Sequence, residues 1–372
     1  MRSVRAFATA VTASVLLLTA CAGGGERGEW GGGGPAGPQA PTGERRDRAA
    51  PPPGGSPGAG RSGAEPRAKA SETFSNPVVK DLWQPSRMAG ATAAGTDVGA
   101  APGGSDPAPE PVTARQVPRP YHRAMAPVGK VFFDRPEGPT VCSGTVVRDP
   151  ARPGRSNLVW TAGHCVHSGA RGNWMRNIVF VPAYNDRGRA AGRVGAAPPQ
   201  DVSPYGVWWA DWSQTSAGWL RHGGAHGDAA GSAYDFAVLH VRPEGGGGAS
   251  LEETVGAAVP VWFGAPPADR ISGVSVYGYP AADPYDGARM FRCTGPPGRY
   301  APARRAPGLY RVGCTMTGGA SGGGWFVDRD GATVLVSNSA IASTRHTWLA
   351  GPRLGRAAWE VFDAVSRRPS GR

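Results

Sequence analysis

The sequence predicts an all-β body with one helix at its C-terminal end, behind a long N-terminal region with little capacity to fold. Three observations carry this expectation. Short β-branched or aromatic runs recur from residue 128 onward, separated by Pro, Gly and Asn. Only residues 353–367, RLGRAAWEVFDAVSR, repeat apolar side chains at helical spacing, through Leu354, Ala358, Val361, Phe362 and Val365. The 58 glycines and 37 prolines among 372 residues are concentrated before residue 120, where too few side chains remain to offset the entropy cost of ordering the backbone.

Taken in order, the chain opens on two arginines followed by an uninterrupted small and apolar run ending at Cys21. The run is too short for a membrane span and has the charge order of an export signal. Leu18-Thr19-Ala20-Cys21 resembles the bacterial lipobox, which implies a signal peptide over 1–20 and a mature protein anchored through acyl chains on Cys21. The alternative is an ordinary secretory signal, and either places the protein outside the cytoplasm. Residues 21–120 read as a disordered Gly/Pro-rich tether or propeptide. Within it, 71–90 is less degenerate, a segment able to pack on the domain or a propeptide remnant. A single domain is expected over 121–372.

In that domain the expected strands are 128–134, 142–149, 158–165, 177–184, 206–212, 235–241, 259–264, 271–280, 308–314, 323–329 and 333–341. With Cys21 committed to lipid, four cysteines remain, at 142, 165, 293 and 314. Chain proximity favours Cys142 with Cys165 and Cys293 with Cys314, in an oxidising compartment where such bridges persist. The net charge of +12 is scattered through Gly/Pro/Ala-rich sequence without a basic stripe, so no nucleic-acid partner is expected. It is consistent with loose attraction to an anionic envelope.

Three local patterns point to chemistry. His164, in Thr161-Ala162-Gly163-His164-Cys165, follows the apolar run Leu158-Val159-Trp160; a histidine at a strand end can be held rigidly while its ring reaches a cleft, as a general base requires. Ser321 lies in Gly318-Gly319-Ala320-Ser321-Gly322-Gly323-Gly324. A serine hydroxyl needs a base to take its proton, and the anionic tetrahedral intermediate needs inward-pointing backbone donors that flanking glycines let the chain supply. Asp235 opens the hydrophobic stretch Asp235-Phe236-Ala237-Val238-Leu239, and a buried carboxylate beside imidazole fixes its tautomer and stabilises the imidazolium.

The order His, Asp, Ser and the motifs TAGHC, YDFAVL and GGASGGG resemble the trypsin and chymotrypsin superfamily, particularly its bacterial branch related to the glutamyl endopeptidases, over about residues 125–350. The resemblance implies two packed six-stranded antiparallel β-barrels with the active site between them. It implies His164 as general base, Asp235 as the orienting acid, Ser321 as nucleophile, and the N–H groups of Gly319 and Ser321 as the oxyanion hole. It matches the Cys142–Cys165 bridge to the staple of the histidine loop and sets Cys293–Cys314 against the specificity pocket, to which Thr315 and Ser339 are assigned.

Two departures follow. Ala320 stands where trypsin-like members carry an aspartate that captures a freed N-terminal ammonium, so that activation switch is absent. Thr315, six residues before Ser321, replaces the acid that selects Lys and Arg, so a basic P1 residue is not expected. Val336–Ile341 lacks the histidine that glutamyl endopeptidases add to such a threonine; His346 lies just beyond. The tryptophans 208, 209, 212 and 219 are expected to pack, and His222, His226 and Asp228 form no persuasive metal set, so neither metal nor cofactor is expected. The expected function is serine endopeptidase activity on a peptide or protein substrate by a monomer in contact with the membrane through Cys21. The alternatives are a catalytically silent peptide-binding module on the same fold and an adhesive surface lipoprotein.

Overall fold

Alternation of β-branched residues with turns produces strands where residues 128 onward predict them. The computed structural model describes residues 74–99, 104–224, 229–303 and 306–368. The first half of the domain contains β1 (Val128–Arg135), β2 (Gly138–Val147), β3 (Leu158–Thr161), β4 (Arg176–Pro182), β5 (Trp208–Thr215) and β6 (Ala237–Pro243). They pair antiparallel in the order β2-β1-β4-β5-β6-β3, and β3 returns to β2 through Thr145 opposite Trp160, closing a six-stranded barrel.

The second half contains β7 (Val274–Gly278), β8 (Phe291–Gly295), β9 (Gly298–Tyr300), β10 (Leu309–Gly313), β11 (Gly324–Arg329), β12 (Ala332–Asn338), β13 (Ile341–Ser343) and β14 (Trp348–Pro352). These strands form two sheets, β12-β11-β7-β8 and β9-β10-β14-β13, each extended by a two-residue strand from the N-terminal region. The sheets share a core including Val276, Cys293, Val312, Trp325, Val336 and Leu349. The chymotrypsin-like architecture is therefore present, with its second barrel built as two facing sheets.

Both cysteine pairs are bridged as expected, with Cα separations of 6.2 Å for Cys142–Cys165 and 5.6 Å for Cys293–Cys314. The terminal helix spans Arg356–Ser366 and buries the residues its spacing selected, Ala358, Val361, Phe362 and Val365. Phe362 meets Phe263 with ring centroids 5.4 Å apart. Residues 259–264, expected as a strand, make only single bridges from Val259 to Val147 and from Val261 to Leu335. They link the two halves, so their apolar side chains serve a crossing rather than a sheet.

The expected boundary at 121 and the disorder assigned to 21–120 need correction over the described residues. Phe74, Trp83, Met88 and Val98 are buried, and Asn76 wedges between β4 and β5, donating to Ile178 O (2.9 Å) and Ala210 O (2.8 Å) and accepting from Ile178 N–H (2.9 Å). Trp83 Nε1 donates to Asn177 O, and Arg115–Gln116 pairs antiparallel with Phe291–Arg292. A few apolar and amide side chains in a degenerate composition suffice, because the barrels offer them formed surfaces and open backbone groups.

Candidate active site

The short strand β3 ends at Thr161, and one 3-10 turn, Gly163–Cys165, carries His164. Gly163 is there because a Cβ would come within 2.8 Å of Thr215 Oγ1 and 3.0 Å of Asp235 Oδ1. That close approach delivers two bonds to one carboxylate: His164 N–H donates to Asp235 Oδ1 (2.8 Å) and His164 Nδ1 meets Asp235 Oδ2 (2.7 Å). Asp235 is 1% exposed and His164 5%. A carboxylate held at both oxygens in a dry site fixes the ring, so Nδ1 carries the proton and Nε2 is left to face the cleft. Nε2 has no hydrogen-bond partner among the described residues.

Asp235 is itself held from behind. Asn338, at the end of β12, donates from Nδ2 to the Asp235 carbonyl (3.0 Å) and accepts at Oδ1 from Trp160 Nε1 (3.0 Å). Asn338 was not singled out in the sequence, where it occupies the stretch searched for a histidine; no local pattern marks it. Trp219 packs over His164 with ring centroids 6.2 Å apart, while its Nε1 donates to His167 O. Trp208 and Trp209 are buried, in keeping with packing. His226 and Asp228 lie outside the described residues. The ligand-type cluster of Cys142, His164 and Cys165 has both sulfurs committed to a disulfide, which leaves no thiolate for a metal.

The loop carrying Ser321 is braced on the same strand that carries Cys142. Ser143 N–H donates to Ser321 O (2.7 Å), and Ser143 Oγ donates to Gly319 O (2.9 Å) while accepting from Tyr279 N–H (2.9 Å). Gly319 adopts φ +92°, and a Cβ there would fall 2.7 Å from Tyr279 O, so glycine is needed for the turn that aims its N–H inward. That N–H holds a peptide carbonyl: it donates to Ala94 O at 2.6 Å. Ser321 Oγ donates to the same oxygen at 3.3 Å. His164 and Ser321 thus border Cys142 and Ser143 from two sides, but the serine proton is directed to Ala94. Ala94 lies within 21–120, the stretch that reads as a Gly/Pro-rich tether or propeptide, and carries no signal in the sequence.

The assigned specificity residues separate. A small cavity beside Ser321 is lined by Thr317, Ala320, Ser339, Ala340 and Ile341, together with Gly95–Asp97. Ser339 reaches it, with Oγ accepting from Trp325 Nε1 and its carbonyl accepting from Gly322 N–H. Thr315 does not line it; its Oγ1 accepts from Ala114 N–H (2.9 Å) and shares a hydrogen bond with Tyr285 OH (2.8 Å). His346 Nε2 pairs with Asp97 Oδ2 at 3.2 Å. A larger cavity of about 600 Å³ is lined by His164 together with Arg135, Glu137, Trp174 and Trp219.

Solved structures of serine proteases share this architecture. The thermostable serine protease AL20 from an extremophilic microorganism aligns at 30% identity with a TM-score of 0.53, over 66% of this chain and 98% of its own. Protease Anisep from Arthrobacter nicotinovorans aligns at 26% identity with a TM-score of 0.52, over 68% and 99%. A Glu endopeptidase aligns at 17% identity with a TM-score of 0.49, over 70% and 99%. No protein-family model matches the sequence, and no curated protein does.

Proposed function

The chain belongs to the bacterial serine proteases of the trypsin/chymotrypsin fold, and from that premise we propose that it is an extracytoplasmic endopeptidase acting through an acyl-enzyme on Ser321. The observation that carries the reading is a peptide carbonyl held by Gly319 N–H within 3.3 Å of Ser321 Oγ, beside a histidine fixed at two points by Asp235. In a substrate complex Ser321 Oγ attacks such a carbonyl carbon as its proton passes to His164 Nε2. Asp235 stabilises the imidazolium, and the N–H groups of Gly319 and Ser321 hold the oxyanion. Collapse breaks the C–N bond, His164 gives its proton to the departing amine, and water deacylates the serine under the same base.

Small residues around the cavity beside Ser321 favour a small, uncharged P1 side chain, with Ser339 among the pocket residues. Thr315 stands outside that wall, where its Oγ1 shares a hydrogen bond with Tyr285 OH. Two disulfides suit an oxidising compartment, and the N-terminal sequence supports a signal peptide over 1–20 with lipid on Cys21. Among the described residues no helix is long and apolar enough to cross a membrane. A second reading, a catalytically silent peptide-binding module, is favoured by the direction of the Ser321 proton toward Ala94 instead of His164.

The test is prolonged reaction of the exported protein with a fluorophosphonate, followed by mass mapping of the adduct. A phosphonyl group on Ser321, absent from Ser321→Ala and strongly slowed in His164→Ala, is the expected result. A folded protein that never acquires the adduct, even after residues 92–98 are loosened by substitution, overturns endopeptidase activity in favour of the silent module.

A further inference from the structure

Residues 92–98 cross the cleft between the two halves of the domain. Thr92 and Ala93 pair in parallel with Thr140 and Val141 of β2, and Asp97 and Val98 pair in parallel with Ala342 and Ser343 of β13. Ala94 N–H donates to Val141 O (3.0 Å), Ala342 N–H to Thr96 O (3.0 Å) and Thr344 N–H to Val98 O (3.1 Å). At the centre, the Ala94 carbonyl takes Gly319 N–H and Ser321 Oγ. Ala94 is fully buried, and Ser321 beneath it is only 7% exposed.

We propose that residues 92–98 are a built-in inhibitory strap that fills the active site with chain polarity opposite to that of a substrate, so that the bond it presents is not cut. The proposal rests on the peptidase reading of the site. Polarity follows from where the proton must go. His164 has to protonate the leaving nitrogen, and its loop is tied to β2: its neighbour Cys165 is bridged to Cys142, and a ring nitrogen lies within 4.8 Å of the sulfurs. The leaving half of a productive substrate therefore runs along β2 and the acyl half along β13. In the strap the acyl side, Thr92–Ala93, lies along β2, and the chain beyond the Ala94–Gly95 bond runs to β13. Attack on Ala94 would send the amine toward β13, where His164 Nε2 has no proton path to it, and the tethered amine would re-form the bond.

The strap is fitted and held at both ends. A Cβ on Gly95 would stand 2.9 Å from Gly318 Cα, so only glycine lets the two backbones touch. Asp97 is clamped by His346. Before the cleft the chain is anchored on the first barrel by Asn76, Trp83 and the Arg87–Asp134 pair (2.6 Å). Beyond it, Arg311 Nη2 donates to Pro107 O (2.7 Å) and Gln116 pairs with Phe291 on the second half. These anchors, first barrel before and second sheet pair after, dictate the direction in which the chain crosses.

The experiment uses the full chain with Gly95→Val, which collides with Gly318 and leaves every catalytic candidate intact. Ala94→Pro, which deletes the N–H given to Val141, is the second variant should the first not fold. Fluorophosphonate labelling rates are read beside hydrogen exchange of peptides covering 92–98 and 342–344. Slow exchange in the native chain, lost in the variant, with labelling at least about ten-fold faster in the variant, is the expected result, and mass spectrometry of the incubated native chain finds no cut between Ala94 and Gly95. Fast exchange of 92–98 in the native chain, labelling of both proteins at the same measurable rate once protection is lost in the variant, or cleavage at Ala94–Gly95 each overturns the strap. Protection that is lost in the variant while neither protein labels upholds the occupied cleft and overturns the peptidase reading instead.

Discussion

Lys130 carries an ammonium into the interior of the molecule, and its titration is a direct test of how dry the core behind the cleft is. The residue is 2% exposed. Its Nζ donates to Gly287 O at 2.7 Å and lies 4.9, 4.7 and 6.0 Å from the ring centroids of Phe132, Tyr184 and Tyr279. Burial pushes its pKa down from 10.5 to about 7, against the pull of the Asp286 carboxylate. Because the folded pKa lies below the unfolded one, the unfolded chain binds more protons between about pH 7 and about pH 10.5, and stability rises with pH across that window. From about pH 6.5 to about pH 9 the gain from this one group is about 2.5 kcal/mol. Lys130→Met removes it, leaving a pH-independent loss of about 1 kcal/mol from the unpaired Gly287 carbonyl. Guanidinium unfolding of both proteins at the two pH values measures the difference. Parallel profiles would mean that the three rings hold the cation as well as water does, and would refute the argument.

Three other outcomes are expected. Asn338→Leu strips the partner from the Trp160 indole and the Asp235 carbonyl, costing roughly 2 to 4 kcal/mol of stability in a denaturant titration; it should lower kcat with little change in KM, whereas a purely structural role would leave kcat alone once the protein is folded. Asp235→Asn should keep the fold but reduce the acylation rate by about 10³ to 10⁴-fold, read as fluorophosphonate labelling in the Gly95→Val background, and a loss under ten-fold would remove the orienting role. Replacing Cys142 and Cys165 together by Ser should cost roughly 2 to 4 kcal/mol and loosen His164 relative to Ser143; an unchanged unfolding midpoint would show that β2 and the histidine loop hold together without the bridge.

Much of the architecture was legible because its signals are local. Residues 128–134, 158–165 and 235–241 combine β-branched runs with flanking turn residues and became β1, β3 and β6 nearly in place. The helical spacing of Ala358, Val361, Phe362 and Val365 is likewise a short-range pattern. The strands at 291–295, 298–300 and 348–352 were missed because arginine, glycine and proline interrupt the alternation, and pairing with β7, β10 and β13 supplies what propensity does not. The stretch 259–264 misled for the converse reason: its apolar residues bury in a crossing between the halves.

The sequence by itself determined the fold class and the identity of His164, Asp235 and Ser321 as candidates, since each rests on short-range residue patterns, and it favoured the cysteine pairing that the structure shows. Only the tertiary structure decided what surrounds them. Asn338 reaches Trp160 across 178 residues, and Asn76 reaches β5 across 134. Ser321 turns to a carbonyl 227 residues upstream. Asn76 and Ser321 bond to backbone groups, which every residue carries, and Asn338 meets Trp160 through two side chains that no local pattern relates, so no composition or spacing announces these contacts. The segment Ala91-Thr92-Ala93-Ala94-Gly95 looks empty as text; its lack of bulk is the reason it fits the floor of the cleft.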